Sequence, residues 1–290
     1  MRKIKVFLVN SFAKTAEGGN AAGVMLGADG LTDDEMKRIA KFLGHSETAY
    51  LSKSNVADFK VRFFTPEEEV DLCGHATIAA FHTLAERGIA LPDKYTQETK
   101  AGILQVEVKK DHTIMMNQNV PQFLEIIPKK EVADSLNITL KDMVEDLPAQ
   151  VVSTGLRDIM VPIKNLETLS AIKPDFEKVA SISNKYNTIG YHLYSRETLG
   201  QAHAHTRNLA PLYGIPEESA TGTANGALAS YMFAYGEINR REAGNLIIEQ
   251  GYSMNKPSEI IVELTTHAKD IIGVKVGGKA ISFTEVDMEI

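Results

Sequence analysis

Three groups of residues in this chain combine types and spacing that could do chemistry. In Ser46-Glu47-Thr48-Ala49-Tyr50 a carboxylate follows a Gly/His turn and opens an apolar run. Partial desolvation there would raise its pKa into the range useful for proton transfer. The plainer alternative for Glu47 is a solvated side chain at the start of a strand. In Asp71-Leu72-Cys73-Gly74-His75-Ala76-Thr77 a thiol, a glycine and an imidazole meet at the start of an apolar helical run. A thiolate at a helix N-terminus is stabilised by the helix dipole, so Cys73 is either an acid/base or nucleophile, or a small buried apolar residue. His75 either orients a ligand and shuttles a proton, or hydrogen-bonds its own turn. His203-Ala204-His205 has period-two spacing, which puts both rings on one face of a strand. Zinc would need a third ligand, and none stands nearby at a matching spacing, so the metal expectation is none.

Other motifs carry less. Ser11-Phe12-Ala13-Lys14 fits Ser-x-x-Lys but lacks its companion motifs, so it reads as chance. Gly-x-Gly-x-x-Gly, a Walker loop and Gly-x-Ser-x-Gly are all missing from the sequence, which weakens dinucleotide, nucleotide and α/β-hydrolase readings. The single cysteine excludes an intrachain disulfide and a thiolate metal cluster.

The elements that must position these residues alternate strands with helices. Strands are expected at Ile4–Phe12, Ala22–Leu26, Glu47–Ser52 and Phe59–Phe64, and a hairpin around Asp111-His112. Thr32 and Glu35 have capping-box spacing before a stripe of Met36, Ile39, Ala40 and Leu43. Residues 74–88 and 222–236 echo one another. Gly74/Gly222, Ala76/Ala224, Ala79/Ala227 and Gly88/Gly236 coincide without a gap, and each stretch follows a proline and a cluster of acids. Both are apolar nearly all round, so each belongs inside a layer of strands. The echo predicts either two similar half-domains, with both helix N-termini aimed at one anion in a cleft, or two core helices that merely share small residues.

With 290 residues, two domains are expected. The boundaries read 1–122, with central helix about 74–88 and the C-terminal strand 278–290 as a candidate to complete it, and 123–277, with central helix about 222–236. The fold class is α+β. Net charge is −7, from 31 basic and 38 acidic residues, so nucleic acid is not an expected partner. No apolar stretch is long enough for a membrane span. The short basic and apolar start reads as a first strand rather than a signal peptide, and the lone thiol fits the cytoplasm.

The motifs, taken in order, resemble the PhzF-like (phenazine biosynthesis-like) isomerases. The resemblance rests on Gly19-Asn20-Ala21-Ala22-Gly23-Val24, Ser46 to Tyr50, Arg62-Phe63-Phe64-Thr65-Pro66, Cys73 to Thr77, Ser153-Thr154-Gly155, Arg207 to Pro211 and Gly214 to Ala224. It implies a diaminopimelate epimerase-like fold, with two pseudo-symmetric domains, each a mixed sheet wrapped around a central helix, and the site in the cleft between them. It further implies a cofactor-independent, dimeric isomerase acting on a small carboxylate. Carried over residue by residue, the catalytic carboxylate is Glu47, and His75 and Glu218 act with it. Asn20, Cys73, Gly74, Gly222 and Thr223 would bind substrate, the two glycines through backbone donors. Where the family usually reads Glu-Asp-Pro-Ala-Thr-Gly-Ser, this chain has Glu217-Glu218-Ser219-Ala220-Thr221-Gly222-Thr223. Related epimerases place a cysteine at each helix start; here Cys73 faces Thr221 in the alignment, so a two-thiol mechanism is not available. The expectation is a single-base proton shift. A non-catalytic small-acid binding protein, or epimerase or dehydratase chemistry, are the alternatives.

Overall fold

The computed structural model describes residues 2–290. The described residues divide into two compact units, residues 2–117 with 277–290 and residues 118–276. The sequence reading put the break at 122/123.

In the first unit the sheet runs Ala280–Glu289, Lys3–Ser11, Asn20–Leu26, Glu47–Ser52, Phe59–Phe64, Asp93–Thr99 and Gly102–Val108. The pairs Asn20–Leu26/Glu47–Ser52 and Phe59–Phe64/Asp93–Thr99 are parallel and the others antiparallel. Parallel neighbours need a helical crossover, and each has one. Helix Asp33–Leu43 makes the first, and helix Gly74–Glu86 makes the second. Thr32 and Glu35 close the expected capping box: Glu35 Oε2 accepts from Thr32 N at 2.7 Å, and Thr32 Oγ1 accepts from Glu35 N at 3.3 Å. Met36, Ile39 and Ala40 are buried on this helix, packed with Tyr50 and Phe64 on one face of the sheet. The other face wraps Gly74–Glu86, in which every residue from His75 to Ala85 is buried. A helix apolar on all sides can sit only in such a place.

The second unit repeats the pattern. Its sheet runs Gln122–Ile127, Ala149–Ser153, Arg157–Pro162, Gly190–Ser195, Ala204–Ala210, Leu246–Gln250 and Ser258–His267. Again the third and fourth strands, and the fifth and sixth, are parallel. Helices Leu166–Ala171 and Phe176–Lys185 make the first crossover, and Gly222–Ala234 makes the second. Outer strand residues Ile159, Val161, Tyr191, Leu193 and Leu209 pack with Leu169 and Val179 of the crossover helices. The neighbours in sequence, Asp158, Met160, Gly190, His192, Asn208 and Ala210, therefore occupy the opposite face of the sheet, because successive side chains alternate.

The two sheets correspond strand for strand, except at one edge. The place held by Gln122–Ile127 in the second unit is taken in the first by Ala280–Glu289, the last strand of the chain. That exchange is why residues 277–290 belong with the first unit. The correspondence reaches individual bonds. Arg62 grips Glu69 through Nε and Nη2 at 2.7 and 2.8 Å, and Arg207 grips Glu217 likewise at 2.9 and 2.8 Å. Ser11 Oγ donates to the carbonyl of His75 at 2.6 Å, and Thr154 Oγ1 to that of Thr223 at 3.1 Å. Both central helices end alike, with Gly88 and Gly236 in the left-handed region.

Candidate functional site

Each unit assembles a polar cluster at the start of its buried helix. In the first unit, strand Glu47–Ser52 begins with the carboxylate, and Cys73 and His75 bracket the first residue of the helix. His75 Nε2 lies 3.2 Å from Glu47 Oε2, with the two side chains 9% and 20% exposed. The approach is close, but Glu47 Oε2 makes no aligned hydrogen bond. Ser46 Oγ is 3.3 Å from His75 Nε2, while Asn20 Nδ2 and Cys73 Sγ are 3.4 and 3.5 Å from Nδ1. Glu47, His75, Asn20, Cys73 and Gly74 thus come together in one place.

The electrostatics depart from the desolvation expectation at Glu47 and choose between the two alternatives at Cys73. Burial pushes the Glu47 carboxyl up, as the sequence suggested, but the His75 ring and the Ser46 and Cys73 donors outweigh it, leaving its pKa below the ordinary glutamate value. Burial opposes charge on His75, yet the acidic partners Cys73 and Glu47 prevail and hold the ring well above the usual histidine range. An ion pair of Glu47 carboxylate and His75 imidazolium is the result. Cys73 goes the other way. The helix start does not yield a ready thiolate, because complete burial raises the thiol. Glu47, Cys73 and His75 also place three metal-ligating atoms within 4.8 Å, the one such group among the described residues. A metal bound to these atoms would have to displace the protons of the thiol and the ring.

The pair His203 and His205 does not form a joint face for a metal. His205 Nδ1 sits 2.9 Å from Glu249 Oε2, and His203 Nδ1 accepts from the Ile247 amide at 3.2 Å. Each ring is engaged separately.

In the second unit, Glu218 ends strand Ile215–Glu218, and Thr221 precedes helix Gly222–Ala234. Thr221 Oγ1 donates to Glu218 Oε2 at 2.6 Å and makes no capping bond to its own helix. Gly222 is the first helical residue, and Thr223 receives Thr154 at its carbonyl. Residues that the sequence reading passed over complete this cluster: Gln250, Asn225, His192, Asn208 and Asp158. Asp158 is 2% exposed, and its Oδ1 has no hydrogen-bond partner. Burial first, and then the charge of Glu218, push its carboxyl up to about 7. The missed signal was an aspartate inside Arg157–Pro162, an otherwise apolar strand run.

The register shows one asymmetry between the units. Tyr50 pairs with Arg62 and Leu193 with Arg207, so three residues back along each strand Glu47 and Gly190 hold equivalent places. Gly190 can carry no side chain, because a Cβ there would stand 1.8 Å from the Leu209 carbonyl oxygen. Across the parallel ladder, Glu47 faces Ala22 and Gly190 faces Asp158. The carboxylate has moved one strand over in the second unit.

The profile of the phenazine biosynthesis-like protein family (PhzC-PhzF) matches residues 9–286. The chain is 36% identical to the uncharacterized isomerase YfhB of Bacillus subtilis over 288 residues, 97% of each chain. A crystal structure of the Bacillus anthracis phenazine biosynthesis protein of the PhzF family is similar with a TM-score of 0.90 and 34% identity, covering 100% of both chains. The trans-2,3-dihydro-3-hydroxyanthranilate isomerase of Pseudomonas chlororaphis is 26% identical over 284 residues, 95% of this chain and 96% of that one.

Proposed function

We propose, for a chain that belongs to the phenazine biosynthesis-like family and is an isomerase, that it shifts a proton within a small carboxylic acid and that Glu47 is its single acid/base. Glu47 takes a proton from a carbon next to an activating group and returns it elsewhere on the same face of the molecule. One base suffices for such a 1,3-type shift, whereas inversion at one carbon needs groups on two faces.

The supporting observation is the asymmetry of the two units. The first has an ionised carboxylate paired with His75, and the second has a glycine at the equivalent place that sterics forbid to be anything larger. Thr221 stands where the second thiol of an epimerase would be, and a threonine hydroxyl is a poor base. In this reading His75 stabilises the carboxylate before the proton moves. The substrate carboxylate is held by backbone donors at the start of the helix beside Glu47, at Gly74, where partial positive charge favours an anion. The substrate class follows the Pseudomonas chlororaphis relative's name: a cyclic acid with a C–H bond activated by an adjacent double bond.

The test is deuterium uptake from heavy water into trans-2,3-dihydro-3-hydroxyanthranilate and a panel of small unsaturated carboxylic acids. Wild-type protein exchanges at least one of them. Glu47→Gln loses that exchange, by about 100-fold or more, as expected for removal of a general base, and still binds the acid. Cys73→Ala keeps most of it. Full exchange by Glu47→Gln refutes the assignment, and loss in Cys73→Ala favours an epimerase-like use of the thiol.

A further inference from the structure

The second unit holds a chain of buried hydrogen bonds that all run one way. Asn208 Nδ2 donates to His192 Nδ1 at 3.2 Å, so the ring must carry its proton on Nε2, which donates to Asn225 Oδ1 at 3.1 Å. Asn225 Nδ2 donates to Gln250 Oε1 at 2.7 Å, and Gln250 Nε2 to Thr221 Oγ1 at 3.1 Å. The Thr221 hydroxyl has a single proton, and it donates that to Glu218 Oε2 at 2.6 Å. Every member from His192 to Thr221 both accepts and donates, and the sequence of donors ends on a carboxylate oxygen. A chain of this polarity needs an acceptor at its end, so it favours Glu218 ionised.

Asp158 lies on the same face of the sheet as His192 and Asn208, by strand alternation from Ile159, Tyr191 and Leu209. It is 2% exposed, yet no donor meets its Oδ1. A buried carboxyl oxygen without a donor favours the neutral form of the group. The groups around it point the same way. Glu218 is the charged group whose field reaches it. His192 is held neutral by burial, its pKa lowered to about 4. Helix Gly222–Ala234 and strand Ala149–Ser153 carry no charged residue. Arg157, next along the strand, belongs to the other face of the sheet and donates from Nη2 to Glu125 and the Tyr186 carbonyl.

We propose that Asp158 is a positioning residue of this isomerase: it and Glu218 form a carboxylate pair that carries one proton, the proton resides on Asp158, and the one-way chain ending in Thr221 keeps it there. Glu218 then meets a ligand as an oriented carboxylate rather than as an acid. This inference rests on the proposed role of Glu218 in the reaction, but the pair itself can be measured without substrate.

The experiment is carbon-13 NMR titration of aspartate and glutamate carboxyls in the intact protein. In the wild type Asp158 is protonated and Glu218 ionised at about pH 6, and the two resonances respond to each other's titration. Glu218→Gln lowers the Asp158 midpoint by about one pH unit, because a like charge has gone. Thr221→Val, which removes the last donor without adding charge or touching a helix cap, raises the Glu218 midpoint and lowers that of Asp158. Nitrogen-15 shifts of His192 report the Nε2–H tautomer. The proposal is overturned if Asp158 is already ionised at about pH 6, or if its midpoint ignores Glu218→Gln. Should Glu218→Gln keep full isotope exchange while the titrations behave as stated, the pair stands and the role of Glu218 in the reaction falls.

Discussion

Asp158→Asn is expected to make the protein's stability less dependent on pH. The Asp158 carboxyl rises from an ordinary 3.8 to about 7 on folding, so the folded chain binds a proton that the unfolded chain releases. Stability from this group is therefore complete below the unfolded value and declines as pH climbs from there through about 7. The full decline corresponds to about 4 kcal/mol at 1.36 kcal/mol per pH unit. Between about pH 5 and about pH 8 the part lost is about 2.5 kcal/mol. Asparagine does not titrate, so the variant lacks this slope. Its amide brings buried donors of its own, and that cost is the same at every pH. The informative quantity is thus the difference between wild type and variant as a function of pH. Urea unfolding of both proteins across that range measures it. The variant gains on the wild type toward alkaline pH, with the gain levelling off above the folded-state midpoint. Parallel stability curves would show that Asp158 is ordinary in the folded state, and the proton assigned to it would be withdrawn.

Gly190→Ala puts a methyl group 1.8 Å from the Leu209 carbonyl oxygen; the strand must shift, and thermal unfolding is expected to show a loss of about 3 kcal/mol or more. Arg207→Ala leaves Glu217 with only the Ser253 hydroxyl as donor and the carbonyls of Leu169 and Ile172 without the guanidinium, a cost of about 3–5 kcal/mol for a buried pair broken from one side. Arg207→Lys recovers only part of this, since a single ammonium cannot replace the bidentate grip. Tyr50→Phe removes the hydroxyl that donates to the Met36 carbonyl at 2.7 Å, and chemical denaturation should register about 1 kcal/mol.

Much of the framework was legible in the sequence because it depends on local rules. Thr32 and Glu35 announce their capping box by spacing alone. The two central helices announce their burial, since thirteen residues without a polar stripe have no other stable place. The resemblance that led to Glu47, His75 and Glu218 was likewise a matter of short, ordered motifs. What the sequence could not weigh was competition between neighbours distant along the chain. The Glu47 carboxyl is pulled down rather than up because His75, twenty-eight positions later, sits 3.2 Å away. Cys73 at its helix start reads either as a thiolate or as a small buried residue, and burial favours the second.

Composition, capping and the repeated apolar helix by themselves determined an α+β chain with two buried central helices, because periodicity and turn chemistry act over a few residues. Only the tertiary structure decided that Gly190 must stay bare, that Asp158 loses its solvent, and that five polar side chains from four separate segments line up behind Glu218. Those outcomes depend on strand register and enclosure, and both arise from contacts between segments far apart in the chain, where no local pattern records them.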